Sequence, residues 1–304
     1  MASRHETKRR MKAVSSTRQI TKAMEMVAAV KMRKSQALSL VSRPYAREAL
    51  GLLDYLLSKT TTLPSLMVVR SVSRKLVVLI ASDRGFAGAF NTNVFRAFDA
   101  FLAKESDVSA LVFAAVGKKA REYLERRKLL VSVSFFRFGD FVDRDLMTPL
   151  FDWVVGGYTQ GQWDRVTVVS GHFRTTLKQR FEALDVLPLG RESIQKFMDT
   201  IIPESGKFSE YESPAASHTF PFEFKIEPSA EILLESISRN LVDLSLYYLI
   251  LHANAAEHSA RVLAMNQASE NAKEVGRELS LQYNKMRQGA ITQEIMEIVA
   301  GSMN

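Results

Sequence analysis

Leu241-Val-Asp-Leu-Ser-Leu-Tyr-Tyr-Leu-Ile-Leu-His-Ala-Asn-Ala-Ala-Glu-His-Ser-Ala-Arg-Val-Leu-Ala-Met265 is the stretch that decides the fold. It lies in a proline-free run from Ser229 to Asn304. A continuous helix over that run spans roughly 110 Å at about 1.5 Å per residue. Steps of three and four trace one seam: Leu241, Leu244, Tyr248, Leu251, Ala255, His258, Val262, Met265, Ser269, Ala272, Gly276, Leu279, Tyr283, Met286 and Ala290. So sustained a pattern predicts a coiled coil with a left-handed supercoil. The middle of the seam is small or polar, which permits close approach but contributes little burial, so it needs a partner helix or an enclosing protein.

The partner is sought at the other end. Residues 1–43 are free of proline and read as helix, with Ile20, Met24, Val27 and Val30/Lys31 at three/four spacing as the expected seam. Pro44 is expected to stop or kink it, and Leu50, Leu53 and Leu57 carry a second apolar set. Charge supports the pairing. Residues 1–47 hold twelve Lys/Arg against Glu6 and Glu25, whereas residues 226–304 hold six Lys/Arg against ten acids. The net charge of +8 therefore sits at the N-terminus. That basic segment has the composition of an organellar presequence, but its pattern runs on unbroken through Gln36 and argues against removal. No apolar run is long enough to cross a bilayer, and the absence of cysteine excludes disulfides and thiolate sites.

Between the ends the pattern changes. Lys75-Leu-Val-Val-Leu-Ile-Ala81 and Ala110-Leu-Val-Phe-Ala-Ala-Val116 are apolar runs expected of buried parallel strands. Helical patterns follow each, then Val131–Phe136, a helix at 146–158, and strands at Arg165–Val169 and Phe181–Leu187. Strands alternating with helices predict an α/β fold, Rossmann-like, with a mainly parallel sheet. Residues 203–221 read as a loop or insertion, and Phe222–Glu227 as a last strand. The expected domains are therefore a helix at 1–58, an α/β domain at 74–227 and a helix at 228–304.

Ser82-Asp-Arg-Gly-Phe-Ala-Gly-Ala-Phe-Asn91 follows a buried strand and opens a helix, a place where backbone amides attract phosphate. Its glycines do not fit G-x-G-x-x-G and no G-K-[ST] is present, so Ser82, Asp83, Arg84 and Gly85 read as a structural turn in which Asp83 and Arg84 are expected to make local bonds. His5, His172, His218, His252 and His258 are scattered and suggest no metal site. Two further readings stay open at this point. One is a coiled-coil tether or nucleic-acid adaptor using the basic helix. The other is a small α/β enzyme acting through residues 82–91.

Three segments resemble the γ subunit of F-type ATP synthase. The first is Ser15-Ser-Thr-Arg-Gln-Ile-Thr-Lys-Ala-Met-Glu-Met-Val-Ala-Ala-Val-Lys-Met-Arg-Lys-Ser-Gln36. The second is Ser82–Asn91, similar to S-D-R-G-L-C-G-G-L-N. The third runs from Tyr283-Asn-Lys-Met-Arg-Gln288 through Ile291-Thr-Gln-Glu-Ile295. All keep the family's order and spacing. Ala87, Val30 and Gly289 depart from it, and 203–221 is longer than usual. The resemblance implies an antiparallel coiled coil of the two termini inside a ring of three α and three β subunits. It implies an α/β domain that meets the δ and ε subunits and the membrane ring of c subunits. It further implies a peripheral, non-catalytic rotor, one copy per complex, turned by proton flow. No cofactor, bound nucleotide or nucleic acid is implied. Met24 matches a position at the contact with β, whose acidic lever loops would meet the basic helix. Arg287, Gln288, Thr292 and Glu294 match upper-shaft positions that bond the ring, and Arg261 a lower position coupled to energy transmission. The implied location is the matrix side of the mitochondrial inner membrane, or the cytoplasmic side of a bacterial plasma membrane.

Overall fold

A computed structural model describes residues 4–41, 43–138, 143–190 and 224–302. In chain order the elements are helices α1 (Arg4–Val41) and α2 (Arg43–Leu57), strand β1 (Lys75–Ile80), helix α3 (Phe90–Leu102), strand β2 (Leu111–Val116) and helix α4 (Lys118–Arg126). Strand β3 (Val131–Phe135), helix α5 (Thr148–Thr159), strands β4 (Arg165–Phe173) and β5 (Gln179–Leu187) and helix α6 (Ala230–Ser302) complete the chain. Pro44 falls at the second residue of α2, where its missing N–H costs nothing. The chain divides into two compact units. Met1–Ala29 with Arg261–Asn304 forms one, and Val30–Ala260 the other.

The second unit is built on a sheet ordered β3-β2-β1-β4-β5. The first four strands run parallel and β5 pairs antiparallel with β4. Strand residues alternate between two buried faces. Leu76, Val78, Ile80, Val166 and Val168 pack with α5, α2 and α6, while Val77, Leu79, Phe113 and Val169 pack with α3 and α4. Burial on both faces explains why β1 and β2 are continuously apolar. The expected strand at 222–227 is not found. Residues 224–227 carry no strand, and 222–223, like 203–221, lie outside the described residues. Phe224 instead stacks edge-on against Tyr55 of α2, with ring centroids 5.3 Å apart.

α6 enters this core bodily. From Leu244 to Ser259 every residue is buried. Several polar groups inside it are bonded: Asn254 Nδ2 donates to the Phe138 carbonyl at 2.9 Å, and Ser259 Oγ to the Thr176 carbonyl at 2.7 Å, whereas His252 Nδ1 has no hydrogen-bond partner among the described residues. His252 Nε2 meets Ser39 Oγ of α1 at 3.0 Å, and on β4 His172 Nε2 meets Ser170 Oγ at 3.2 Å. Burial, reinforced by the neighbouring His252 and by Arg174 and Arg180, pulls His172 down to about 3. Burial, with Arg174, pulls His252 down to about 4. An unfolded histidine titrates near 6.5, so below that pH the unfolded chain binds more protons than the folded one. Stability of this unit should therefore fall as pH drops from about 6.5 toward 4, by at most about 1.4 kcal/mol per pH unit for each histidine, and be insensitive to these groups above about 7. Denaturant melts of wild type and His172→Gln across that range check this. An equal slope in both would contradict it.

Candidate functional site

The first unit pairs α1 and α6 antiparallel. Thr7 Oγ1 lies 3.8 Å from Met286 Sδ. Val14 sits within 3.7 Å of where a Cβ on Gly276 would stand, and Asn266 Nδ2 donates to Glu25 Oε1 at 3.3 Å. On α6 the seam is borne out. Met265 and Ser269 are buried, and Val262, Ala272, Gly276, Leu279, Tyr283, Met286 and Ala290 are half-buried.

On α1 the expected seam is corrected. Ile20, Val27 and Val30 are 60%, 56% and 59% exposed. The buried positions are Thr7, Thr21, Ala28 and Ser35, spaced in sevens or multiples of seven, with Ser39 four residues beyond. Small and hydroxyl side chains let the helices approach closely, and threonine can bury its hydroxyl by bonding back along its own helix. Thr21 Oγ1 donates to the Arg18 carbonyl at 3.0 Å. An apolar periodicity cannot detect such a seam. A heptad of small residues was the signal that would have found it.

Met24 is half-buried on α1, beside the exposed Ile20 and Val27. Arg261 is buried on α6 at 9% exposure. Arg287, Gln288, Thr292 and Glu294 are exposed, and Thr292 Oγ1 donates to the Gln288 carbonyl at 2.9 Å. The tip of α6 also exposes Leu281, Ile291, Ile295, Met296, Ile298 and Val299. Lys8, Arg9, Arg10 and Lys12 are exposed on α1, with Arg10 paired to Glu6 at 2.6 Å. The first unit thus turns large apolar side chains outward among its charges, unlike a solvated helix pair, whose outer face is polar.

The Ser82–Gly85 turn lies in the other unit and ties the ends of β1, β2 and β3 together. Asp83 Oδ1 accepts the Lys118 N–H at 3.1 Å and Oδ2 the Arg137 N–H at 2.7 Å. The Ser82 hydroxyl donates to the Arg84 carbonyl at 2.7 Å, and the Ser82 N–H to Asn91 Oδ1 at 3.1 Å. Gly117 adopts φ +95°, and a Cβ there would stand 2.0 Å from the Ala81 carbonyl oxygen. A ligand in an open parallel sheet binds where strand order reverses, here between β1 and β4. Phe90 fills that place. It packs on Phe181 at 5.9 Å and lies 2.8 Å from a Cβ built on Gly171.

These features define an interaction-bearing protein with a helix pair and an α/β body. Comparison with known proteins agrees. A family profile described as ATP synthase matches residues 3–303. The chain is 34% identical to the ATP synthase gamma chain of Herpetosiphon aurantiacus, covering 99% of this chain and 98% of that one. It is 32% identical to that of Heliobacterium modesticaldum, covering 99% of each. Its fold is similar to the rotor of the Euglena gracilis mitochondrial ATP synthase, with a TM-score of 0.62 at 18% identity over 95% of this chain and 98% of that one. It is also similar to the central stalk and c-ring structure of the Tetrahymena thermophila mitochondrial enzyme, with a TM-score of 0.56 at 24% identity over 82% and 99%. The chain belongs to the ATP synthase gamma chain family.

Asp83 supports this turn structurally. Asp83→Ala should leave the Lys118 and Arg137 amides without their acceptor and cost about 1.5–3 kcal/mol. Thermal melts of the full chain measure it, and an unchanged midpoint would remove Asp83 from this role.

Proposed function

We propose that this chain is the central-stalk rotor of a proton-translocating ATP synthase, a non-catalytic subunit present once per complex. In this role it couples rotation of a c-ring to conformational cycling of the catalytic β subunits. The observation that carries the reading is the outward apolar surface of the paired-helix unit: Ile20, Met26 and Val27 on α1, and Leu281, Ile295, Met296 and Ile298 on α6, all more than half exposed. Exposed apolar groups in such number mark a surface that other protein covers. An α3β3 ring covers it in this reading, and the δ and ε subunits with the c-ring meet the α/β body, taken as residues 74–227. Helices whose faces differ bind three otherwise equal β subunits unequally. Only such a difference shifts conformational populations. The surface is aliphatic rather than aromatic, which favours protein over stacked nucleic acid.

Met24 and Arg261, with Arg287, Gln288, Thr292 and Glu294, are the proposed contact and coupling residues. The exposed cations of α1 suit the acidic lever loops of β. An exposed ion pair contributes only about 0–1 kcal/mol, suitable for a contact broken repeatedly in each turn. As a gamma chain it is peripheral to a membrane. We propose the matrix side of the mitochondrial inner membrane, supported by the divergence and length of 203–221. The bacterial relatives favour the cytoplasmic side of a plasma membrane instead, and fractionation of the source cell decides between them.

Purification of the native chain tests the role. It should bring down nucleotide-binding α and β subunits, and recovery without them would sink the rotor reading. Met24→Lys places a new cation beside Ile20 and Val27. It should lower ATP-driven proton pumping about tenfold more than ATP hydrolysis in the reconstituted complex, a coupling loss of about 1.4 kcal/mol. Parallel losses of both activities would count against Met24 as a coupling residue.

A further inference from the structure

The body of the molecule holds a polar crossing that the rotor reading does not use. Ser39 on α1 is 5% exposed and His252 on α6 is 6% exposed, and they share a 3.0 Å hydrogen bond. Behind them on β4 lie His172 and Ser170, both wholly buried, with the two imidazole centroids 6.5 Å apart. Small and apolar groups flank the pair, Leu40 on α1, Leu251 and Ala255 on α6 and Phe173 on β4, together with Ser35 and Gln36 of α1 and the nearby charge of Arg174. Alanines give helices close approach but little preference among registers, because one alanine packs much like the next. A buried polar pair does discriminate. Sliding α1 along α6 removes the partner of a buried imidazole, and a single polar group at a helix interface is known to set register in this way.

We propose that the Ser39–His252 hydrogen bond is a register pin, through which torque applied to the sheet passes from α6 into α1. The proposal rests on the rotor reading, and both residues act as positioning residues. The path is continuous within this unit. α6 is fixed to the body by Asn254 on the Phe138 carbonyl and by Ser259 on the Thr176 carbonyl. α1 is then fixed to α6 where Ser39 meets His252. A rotor needs both helices to turn with its body. Apolar packing resists separation of two helices better than it resists sliding, whereas a directional bond resists sliding.

The absence of native cysteine makes the test clean. Ala37→Cys on α1 and Ser236→Cys on α6 place spin labels at two exposed positions of the full chain. With His252 present, pulsed electron resonance should give one narrow distance. His252→Leu should broaden it or add a population displaced by about 5 Å, one helical turn. In the reconstituted complex the ratio of ATP synthesis to hydrolysis should fall about fivefold. His252→Gln, whose amide reaches a similar point, should restore both. If His252→Leu fails to fold, Ser39→Ala with His252→Leu removes both polar partners and leaves no orphan. A single unchanged distance in either leucine variant overturns the pin. A displaced distance with unchanged coupling overturns its part in torque. If the native chain itself restores no coupling to a complex lacking its gamma chain, the rotor reading fails, and the distances still decide the pin.

Discussion

The constraint on which the structure depends is the total burial of one stretch of α6. A helix buried all round must find apolar or hydrogen-bonding neighbours at nearly every angle, and Leu244–Ser259 is buried throughout. One side supplies the floor of the sheet through Leu246, Leu249 and Ile250, which join the cluster containing Val78 and Val168. Ala255 and Ala256 join the cluster on the other side, with Phe173. Full burial of each large aliphatic side chain contributes about 1.5–3 kcal/mol, so this segment alone makes the last part of the chain indispensable to the body's core. The body cannot close until residues 244–259 have been made.

The same segment explains why several of its polar side chains reach specific partners. Asn254 and Ser259 reach loop carbonyls, and His252 reaches a serine on another element. Each bond removes a desolvation cost and also selects one position along the helix axis. Apolar burial alone would tolerate several.

Much of this was legible. The continuous runs at 75–81 and 110–116 announced strands buried on both faces, and the order of strands and helices announced the parallel sheet. The α6 seam was visible from Leu241 to Ala290 because its periodicity persisted through small residues. The α1 seam was misread because Thr7, Thr21, Ala28 and Ser35 carry no hydrophobic signal, while Ile20, Val27 and Val30 carry a strong one and face outward. Hydrophobic periodicity reports where apolar side chains line up, which on α6 is the face turned toward α1 and on α1 is the exposed face. The same blindness hid the Asp83 bonds, whose partners lie 35 and 54 residues away. Local bonds were the expectation for Asp83, and the sheet instead brings it the amides that follow β2 and β3.

That misreading has a physical cause. In a helix pair that stands alone, the seam must supply the burial, and apolar residues gather there. In the first unit the seam is Thr7, Val14, Thr21 and Ala28 against small residues of α6 such as Gly276, so the internal gain is modest. The larger apolar side chains face outward instead. Such a pair gains little by holding itself together and more by being surrounded. Its outer face offers side chains such as Ile20 and Met296, which interact without directional bonds. Dispersion and burial vary smoothly as one surface slides past another, whereas a hydrogen bond is lost within about an ångström. A surface that must move against its surroundings is better made of aliphatic groups. Joints that must not move, such as Asp83 and His252, are better made of bonds.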